Sequence, residues 1–165
     1  MIIDLQIASE NKQLPTLAQL EQWAQLALQT PDSDAEITIR MVDDAESHEL
    51  NLQYRGQDKP TNVLSFPFEQ PDFNDPELAA EMAAELGGSG YLGDLVVNAQ
   101  LVAQEAVQQH KTVADHWAHL IIHGTLHLQG FDHIEDNEAE AMEALEGQLL
   151  ATLNIANPYV AKESD

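Results

Sequence analysis

Three histidines fall at i, i+4 and i+10 in the run His123-Gly124-Thr125-Leu126-His127-Leu128-Gln129-Gly130-Phe131-Asp132-His133. On an α-helix His123 and His127 are one turn apart, so both imidazoles project from one face and can converge on a single ion. Gly130 predicts the helix stop, because glycine takes the left-handed backbone conformation at little cost, and the residues after it return His133 toward the other two rings. Three neutral nitrogens leave one coordination position open, which is the arrangement of a catalytic rather than a structural zinc site. The chain has no cysteine, so thiolate ligands and disulfides are excluded.

Other residues near this run are weaker candidates. His119 precedes His123 by one turn, but it lies eight residues from His127, about 12 Å along a helix axis, so one ion cannot take both. It is expected to support the ligands from behind or to fill the core. Asp132 could accept the second N–H of a ligand imidazole, or serve the turn after Gly130. Asp94 follows Gly93 in a predicted strand and either lines a cleft or bridges to a neighbouring element. His48, His110 and His116 show no such pattern and are expected at the surface or in packing. Arg55 is, by spacing alone, an exposed arginine near a turn.

The histidine spacing resembles the metzincin protease signature His-Glu-x-x-His-x-x-Gly-x-x-His, with one departure. Gly124 stands where the protease glutamate would be. That glutamate takes a proton from the zinc-bound water, and glycine has no side chain to do so. Peptide hydrolysis by that route is not expected.

The elements that must hold these residues can be read from hydrophobic periodicity. Alternation at Ile3, Leu5, Ile7 and at Ile37, Ile39, Met41 predicts half-buried strands over 2–8 and 36–42. Between them Pro15 and Thr16 open a helix with an apolar face of Leu17, Leu20, Trp23, Ala24, Ala27 and Leu28, closed by Thr30-Pro31. Asp43 or Asp44 can cap a second helix that ends near Gly56. Strands follow over 61–68 and 91–97. Within the 69–90 segment, Asp75, Pro76 and Gly87-Gly88 bound an acidic helix with one thin stripe of Leu78, Met82 and Leu86, expected as a flap or surface helix. Helices are predicted over 99–110, 113–129 and 137–153, the last capped by Asp136 and packed through Met142, Leu145 and Leu149. The 113–129 helix is apolar on most sides, so it should be central and buried, a rigid platform for His123 and His127. The expected fold is α+β, or mixed α/β: a small mixed sheet of about four strands packed with five to six helices.

At 165 residues and 44% hydrophobic composition, one domain spanning 1–165 is expected. The start Met1-Ile2-Ile3-Asp4-Leu5-Gln6 has no basic n-region, and no run approaches the roughly 20 apolar residues of a membrane span, so the expectation is a soluble, cytoplasmic protein. Twenty-nine acids against six bases give a formal charge of −23, which opposes generic binding to a nucleic-acid backbone. Lys12, Arg40, Lys111 and Lys162 are scattered, but Arg55 and Lys59 share one short polar segment. Any phosphate contact must therefore be local, with divalent ions or a partner offsetting the long-range repulsion.

The segment Asn51-Leu52-Gln53-Tyr54-Arg55-Gly56-Gln57-Asp58-Lys59-Pro60-Thr61-Asn62-Val63-Leu64-Ser65-Phe66-Pro67, the pair Gly93-Asp94 and the stretch His119 through His133 closely resemble the bacterial endoribonuclease YbeY family. The resemblance runs from about residue 34 to Tyr159, and the 69–90 segment looks longer than is usual in it. It implies that His123, His127 and His133 are zinc ligands and that Arg55 is the functional arginine of the cleft. It further implies a single-strand-specific, metal-dependent endoribonuclease of ribosomal RNA maturation, notably at the small-subunit RNA 3′ end, and of ribosome quality control. A ribosomal small-subunit protein and an assembly GTPase are the implied partners.

The chemistry then expected is an ion that acidifies water and polarises a phosphoryl oxygen, with Arg55 donating two hydrogen bonds to the phosphate as charge builds. Arginine clamps charge but is a poor base, so it replaces the missing glutamate only in part. Imidazole ligands suit zinc, nickel, cobalt or iron alike; zinc is the first expectation. Two other functions compete: an assembly factor that binds a protein partner through its acidic surface and uses metal for folding, and a metal hydrolase of another substrate.

Overall fold

The computed structural model describes residues 2–12, 14–28, 35–67, 91–129 and 136–155, the side chains of 136–139 excepted. Along the chain these form β1 (Ile2–Ile7), α1 (Leu17–Ala27), β2 (Glu36–Val42), α2 (Asp44–Arg55), β3 (Val63–Pro67), β4 (Tyr91–Asn98), α3 (Ala99–Gln108), α4 (Val113–Leu128) and α5 (Asp136–Thr152). The expected flap helix within 69–90, and Gly130, Asp132 and His133, lie outside the described residues.

The strands form one sheet in the order β1-β2-β4-β3. β1, β2 and β4 run parallel, while β3 pairs antiparallel with β4, Val63 opposite Val97 and Ser65 opposite Leu95. The fold is thus mixed α/β, a four-strand mixed sheet with five helices among the described residues. One face of the sheet carries Ile37, Ile39, Met41, Leu95 and Val97 into the main core, with Leu20, Trp23, Trp117, Ile121 and Met142 from the helices. The opposite face is covered near β4 by α2, where Val42, Leu64 and Val96 pack with Leu50 and Phe66.

Local chemistry sets the helix ends. Thr16 and Gln19 form a reciprocal capping box at the start of α1, the Gln19 N–H reaching Thr16 Oγ1 at 3.2 Å and the Thr16 N–H reaching Gln19 Oε1 at 2.9 Å. Asp43 occupies the N-cap position of α2 but its carboxylate does not cap it. It accepts instead from Ser9 Oγ at 2.5 Å and from the Glu10 N–H at 3.0 Å, tying the chain after β1 to the start of α2. α2 ends at Gly56, whose φ of +67° is the left-handed conformation that glycine supplies.

α4 is the central helix: it contacts α1, α3, α5, β3 and β4. Its approach to the sheet is close at Gly124, where an added Cβ would lie 2.7 Å from Leu95 Cδ2, a buried methyl group. A side chain at position 124 would therefore have to displace the Leu95 side chain. α4 ends at Leu128, before Gly130, and the Gln129 side chain anchors that end by donating to the carbonyl oxygens of Ala27 at 2.8 Å and Thr125 at 3.1 Å.

A candidate active site at the β3 edge

β3 is the outer strand of the sheet, and its register dictates what it offers to solvent. The Asn98 N–H bonds to the Asn62 carbonyl at 2.8 Å, so with the alternation of an antiparallel pair the main-chain groups of Val63 and Ser65 point away from β4. A cleft of about 770 Å³ runs beside this edge. α2 and the loop after it form one wall with Asn51, Arg55, Gln57, Lys59 and Thr61; α4 supplies His123 and His127.

The loop wall is held by two buried polar residues one turn apart on α2. Ser47 Oγ donates to the Thr61 carbonyl at 2.7 Å and accepts from the Thr61 N–H at 3.0 Å. Asn51 Nδ2 donates to the Lys59 carbonyl at 2.8 Å. These bonds fold residues 57–61 back along α2, which brings Lys59 to the same cleft as Arg55. The Arg55 guanidinium donates to the outward-facing Ser65 carbonyl at 3.1 Å. Two of the six basic residues of a strongly acidic chain thus line one cleft.

On the opposite wall the two imidazoles of α4 stand edge to face, ring centres 4.6 Å apart, with their Nε2 atoms 3.1 Å from each other. Two nitrogens each about 2.0–2.1 Å from one ion at a tetrahedral angle would be about 3.3 Å apart, so the pair fits shared ligation. His123 is also engaged from behind. Its Nδ1 hydrogen-bonds to Oε1 of Glu146, a carboxylate on α5 with no exposed surface. His119 packs edge-on against His123 with ring centres 6.1 Å apart. Donor atoms of His119, His123 and Glu146 all lie within 4.8 Å of one another, a group that could hold a metal ion. Burial lowers the His119 pKa to about 4 despite the opposing effect of the Glu146 carboxylate. Neither His119 nor Glu146 lines the cleft, so an ion on that group would sit behind the histidine pair, while one held at the two Nε2 atoms would face the open space.

The other sequence candidates take different places. Asp94 accepts a hydrogen bond from Tyr91 Oη, which also lies 3.1 Å from Thr38 Oγ1, so its contacts run within the sheet and it does not line the cleft. Burial first, then the bond to Asp94, raises the Tyr91 pKa. His116 is buried, and its Nε2 lies 2.9 Å from Glu105 Oε1. Glu105 also accepts from Asn62 Nδ2 at 3.0 Å, which couples α3 and α4 to the residue that leads into β3. Burial works to raise the Glu105 pKa, but the hydrogen bonds from His116 and Asn62 outweigh it and leave the carboxyl below its ordinary value. His48 is exposed and pairs with Asp58 at 2.6 Å.

Glu146 is the residue that sequence reasoning missed. Met142, Glu146 and Leu150 recur every fourth residue and are all fully buried, so the glutamate stands in an apolar stripe. A charged residue at such a position calls for a buried partner, and that was the available signal.

No helix among the described residues is long and apolar enough to cross a membrane. The solution structure of TM1509 from Thermotoga maritima matches with a TM-score of 0.54 and 24% identity over 91% of either chain, a likeness that bears on the fold. The family described as Endoribonuclease YbeY matches residues 5–154, nearly the whole length and including both the Arg55 segment and the histidine run. The chain belongs to the endoribonuclease YbeY family, enzymes that hydrolyse RNA internally.

Proposed function

We propose that the cleft beside β3 cuts single-stranded ribosomal RNA during maturation of the small-subunit RNA 3′ end and in ribosome quality control, with His123, His127 and His133 holding one zinc ion. The observation that carries this is the meeting, in one cleft, of Arg55 and Lys59 with the paired Nε2 atoms of His123 and His127. When bound, the ion supplies Lewis acidity toward a phosphoryl oxygen and acidifies water. Two positive side chains opposite the histidines suit a phosphodiester, whose charge grows on the non-bridging oxygens as the phosphorus is attacked. Arg55 is the residue that meets that charge, since its planar fork can donate to two oxygens at once. The Ser65 carbonyl keeps it beside the edge strand.

Cleavage breaks one phosphorus–oxygen bond to the sugar. Attack by water leaves a phosphomonoester and a hydroxyl; attack by the neighbouring ribose 2′-hydroxyl leaves a 2′,3′-cyclic phosphate and a 5′-hydroxyl. Gly124 offers no general base, and its Cα faces the Leu95 side chain. The product ends separate the two routes.

The test is cleavage of single-stranded ribosomal RNA by zinc-loaded protein, beside Arg55→Ala and a chelated sample purified identically. Cutting by the loaded wild type alone supports the reading. Equal cutting by all three samples assigns the activity to a contaminant. No cutting by any of them favours the second reading, a cytoplasmic assembly factor that meets a ribosomal small-subunit protein or an assembly GTPase. The formal charge of −23 supports that alternative.

A further inference from the structure

We propose that Glu146 is a positioning residue for the metal site: it takes the Nδ1–H of His123 and so turns the Nε2 lone pair of that ring toward the cleft and His127. The inference rests on the metal reading of the cleft histidines and deepens it.

A neutral imidazole carries one proton on two nitrogens, and the nitrogen left bare is the one that can bind a cation. Which nitrogen is bare depends on the partner of the other. In this structure His123 Nδ1 meets a carboxylate oxygen, while Nε2 meets the Nε2 of His127 at 3.1 Å. Proton occupancy on Nδ1 satisfies the carboxylate and leaves Nε2 free to donate its electron pair. The opposite tautomer would put a lone pair against a carboxylate and a hydrogen into the space that the two Nε2 atoms share. Glu146 therefore selects the ligating tautomer as well as the ring orientation, the role that carboxylates behind metal-binding histidines commonly serve.

Burial makes this more than a packing contact. Glu146 is fully buried in a helix stripe otherwise filled by Met142 and Leu150, where an apolar residue of similar size would fit without the desolvation penalty of a carboxylate. A purely structural demand at this position would be met by methionine or leucine. The shape of the site explains why a carboxylate stands there: α5 is the element behind α4, on the side of His123 away from the cleft, and Glu146 reaches that ring across 23 residues of sequence.

The experiment uses the full-length chain as wild type, Glu146→Met and Glu146→Gln, each stripped with chelator. Zinc affinity is read by competition with a chromophoric chelator, thermal melting is followed with and without zinc, and the His123 tautomer is read from long-range proton–nitrogen NMR of the metal-free protein. Glu146→Met should melt at or above the wild-type temperature without metal, bind zinc 10- to 100-fold more weakly, and lose the fixed Nδ1–H tautomer. Glu146→Gln keeps an oxygen acceptor and should fall between. A folded Glu146→Met protein with wild-type zinc affinity overturns the inference alone. A drop in metal-free melting temperature for both variants with unchanged affinity also overturns it, assigning Glu146 to structure only. If the wild type binds no zinc while its His123 tautomer is fixed, the metal reading itself falls, and the purpose assigned to Glu146 falls with it.

Discussion

Arg55, in the last turn of α2, donates to the main-chain carbonyl of Ser65 at 3.1 Å and so spans from the helix to the free edge of the sheet. This one bond joins the two sequence stretches that the cleft needs: the polar loop with its positive charges, and the strand that forms its floor. An exposed arginine with a single main-chain bond contributes little to stability. Its position beside a phosphodiester would matter far more.

Replacing Arg55 by alanine should therefore leave the melting temperature nearly unchanged, with stability within about 0.5 kcal/mol of wild type. Single-turnover cleavage of RNA should fall by about 10²–10³-fold, as for loss of a donor to developing charge. Arg55→Lys should recover only part of that loss, because it restores charge without the fork. A rate for Arg55→Ala within a few-fold of wild type would remove the residue from the chemistry.

How far the site could be read from the chain depends on the range of the contacts. His123 and His127 are joined by helix geometry, so their convergence follows from spacing of four residues. The lowered pKa of half-buried His119 and the partner of His123 do not, since both depend on where α5 lies against α4. His116 looked like any surface or packing histidine until α3 placed Glu105 against it. The strands and helix limits were legible because alternation and caps are local; the edge position of β3, which makes the cleft, is a property of strand order. Asp43 shows a competing local choice, its carboxylate serving Ser9 and Glu10 where an N-cap bond was the simpler expectation.

Gly124→Ala isolates the close packing of α4 on β4. Alanine in a helix interior gains about 1 kcal/mol over glycine in propensity, whereas forcing a methyl group to 2.7 Å from a buried Leu95 methyl should cost about 1–3 kcal/mol. Net destabilisation of up to about 2 kcal/mol is expected, read as a lower urea midpoint at constant m-value. Leu95→Ala alone should cost about 2–5 kcal/mol, and the double variant should be more stable than the sum of the two predicts, because the clash is relieved. Simple additivity would show that α4 shifts freely along the sheet.

Acid titration should expose the link among Glu105, His116 and Asn62. The folded Glu105 carboxyl holds its proton less tightly than the unfolded one, whose ordinary value is 4.5. Its bonds therefore contribute stability fully above that value, and the contribution is lost as pH falls through the lower folded-state pKa. Between about pH 6 and pH 3 the wild type should lose more stability than Glu105→Gln, so the difference between their unfolding free energies should shrink on acidification. A difference that stays constant across this range would mean that Glu105 is no more acidic in the folded chain than in the unfolded one.

Salt offers the sharpest check on how an acidic protein accepts RNA. Among the described residues, Arg55 and Lys59 are the basic side chains that line the cleft, and each phosphate contact to a single strand contributes about −0.7 to the slope of log affinity against log salt. Binding of a short single-stranded RNA to Arg55- and Lys59-bearing protein should thus show a slope no steeper than about −1.4. Screening of the surrounding acids by the same salt acts in the opposite direction and flattens it further. Lys59→Gln should reduce the slope by about 0.7 while leaving the fold intact, since the bond from Asn51 to the Lys59 main-chain carbonyl does not involve the replaced side chain. A slope as steep as that of a protein with six or more phosphate contacts would place the RNA on a basic surface other than this cleft, and the assignment of the β3 edge as the cutting site would have to be abandoned.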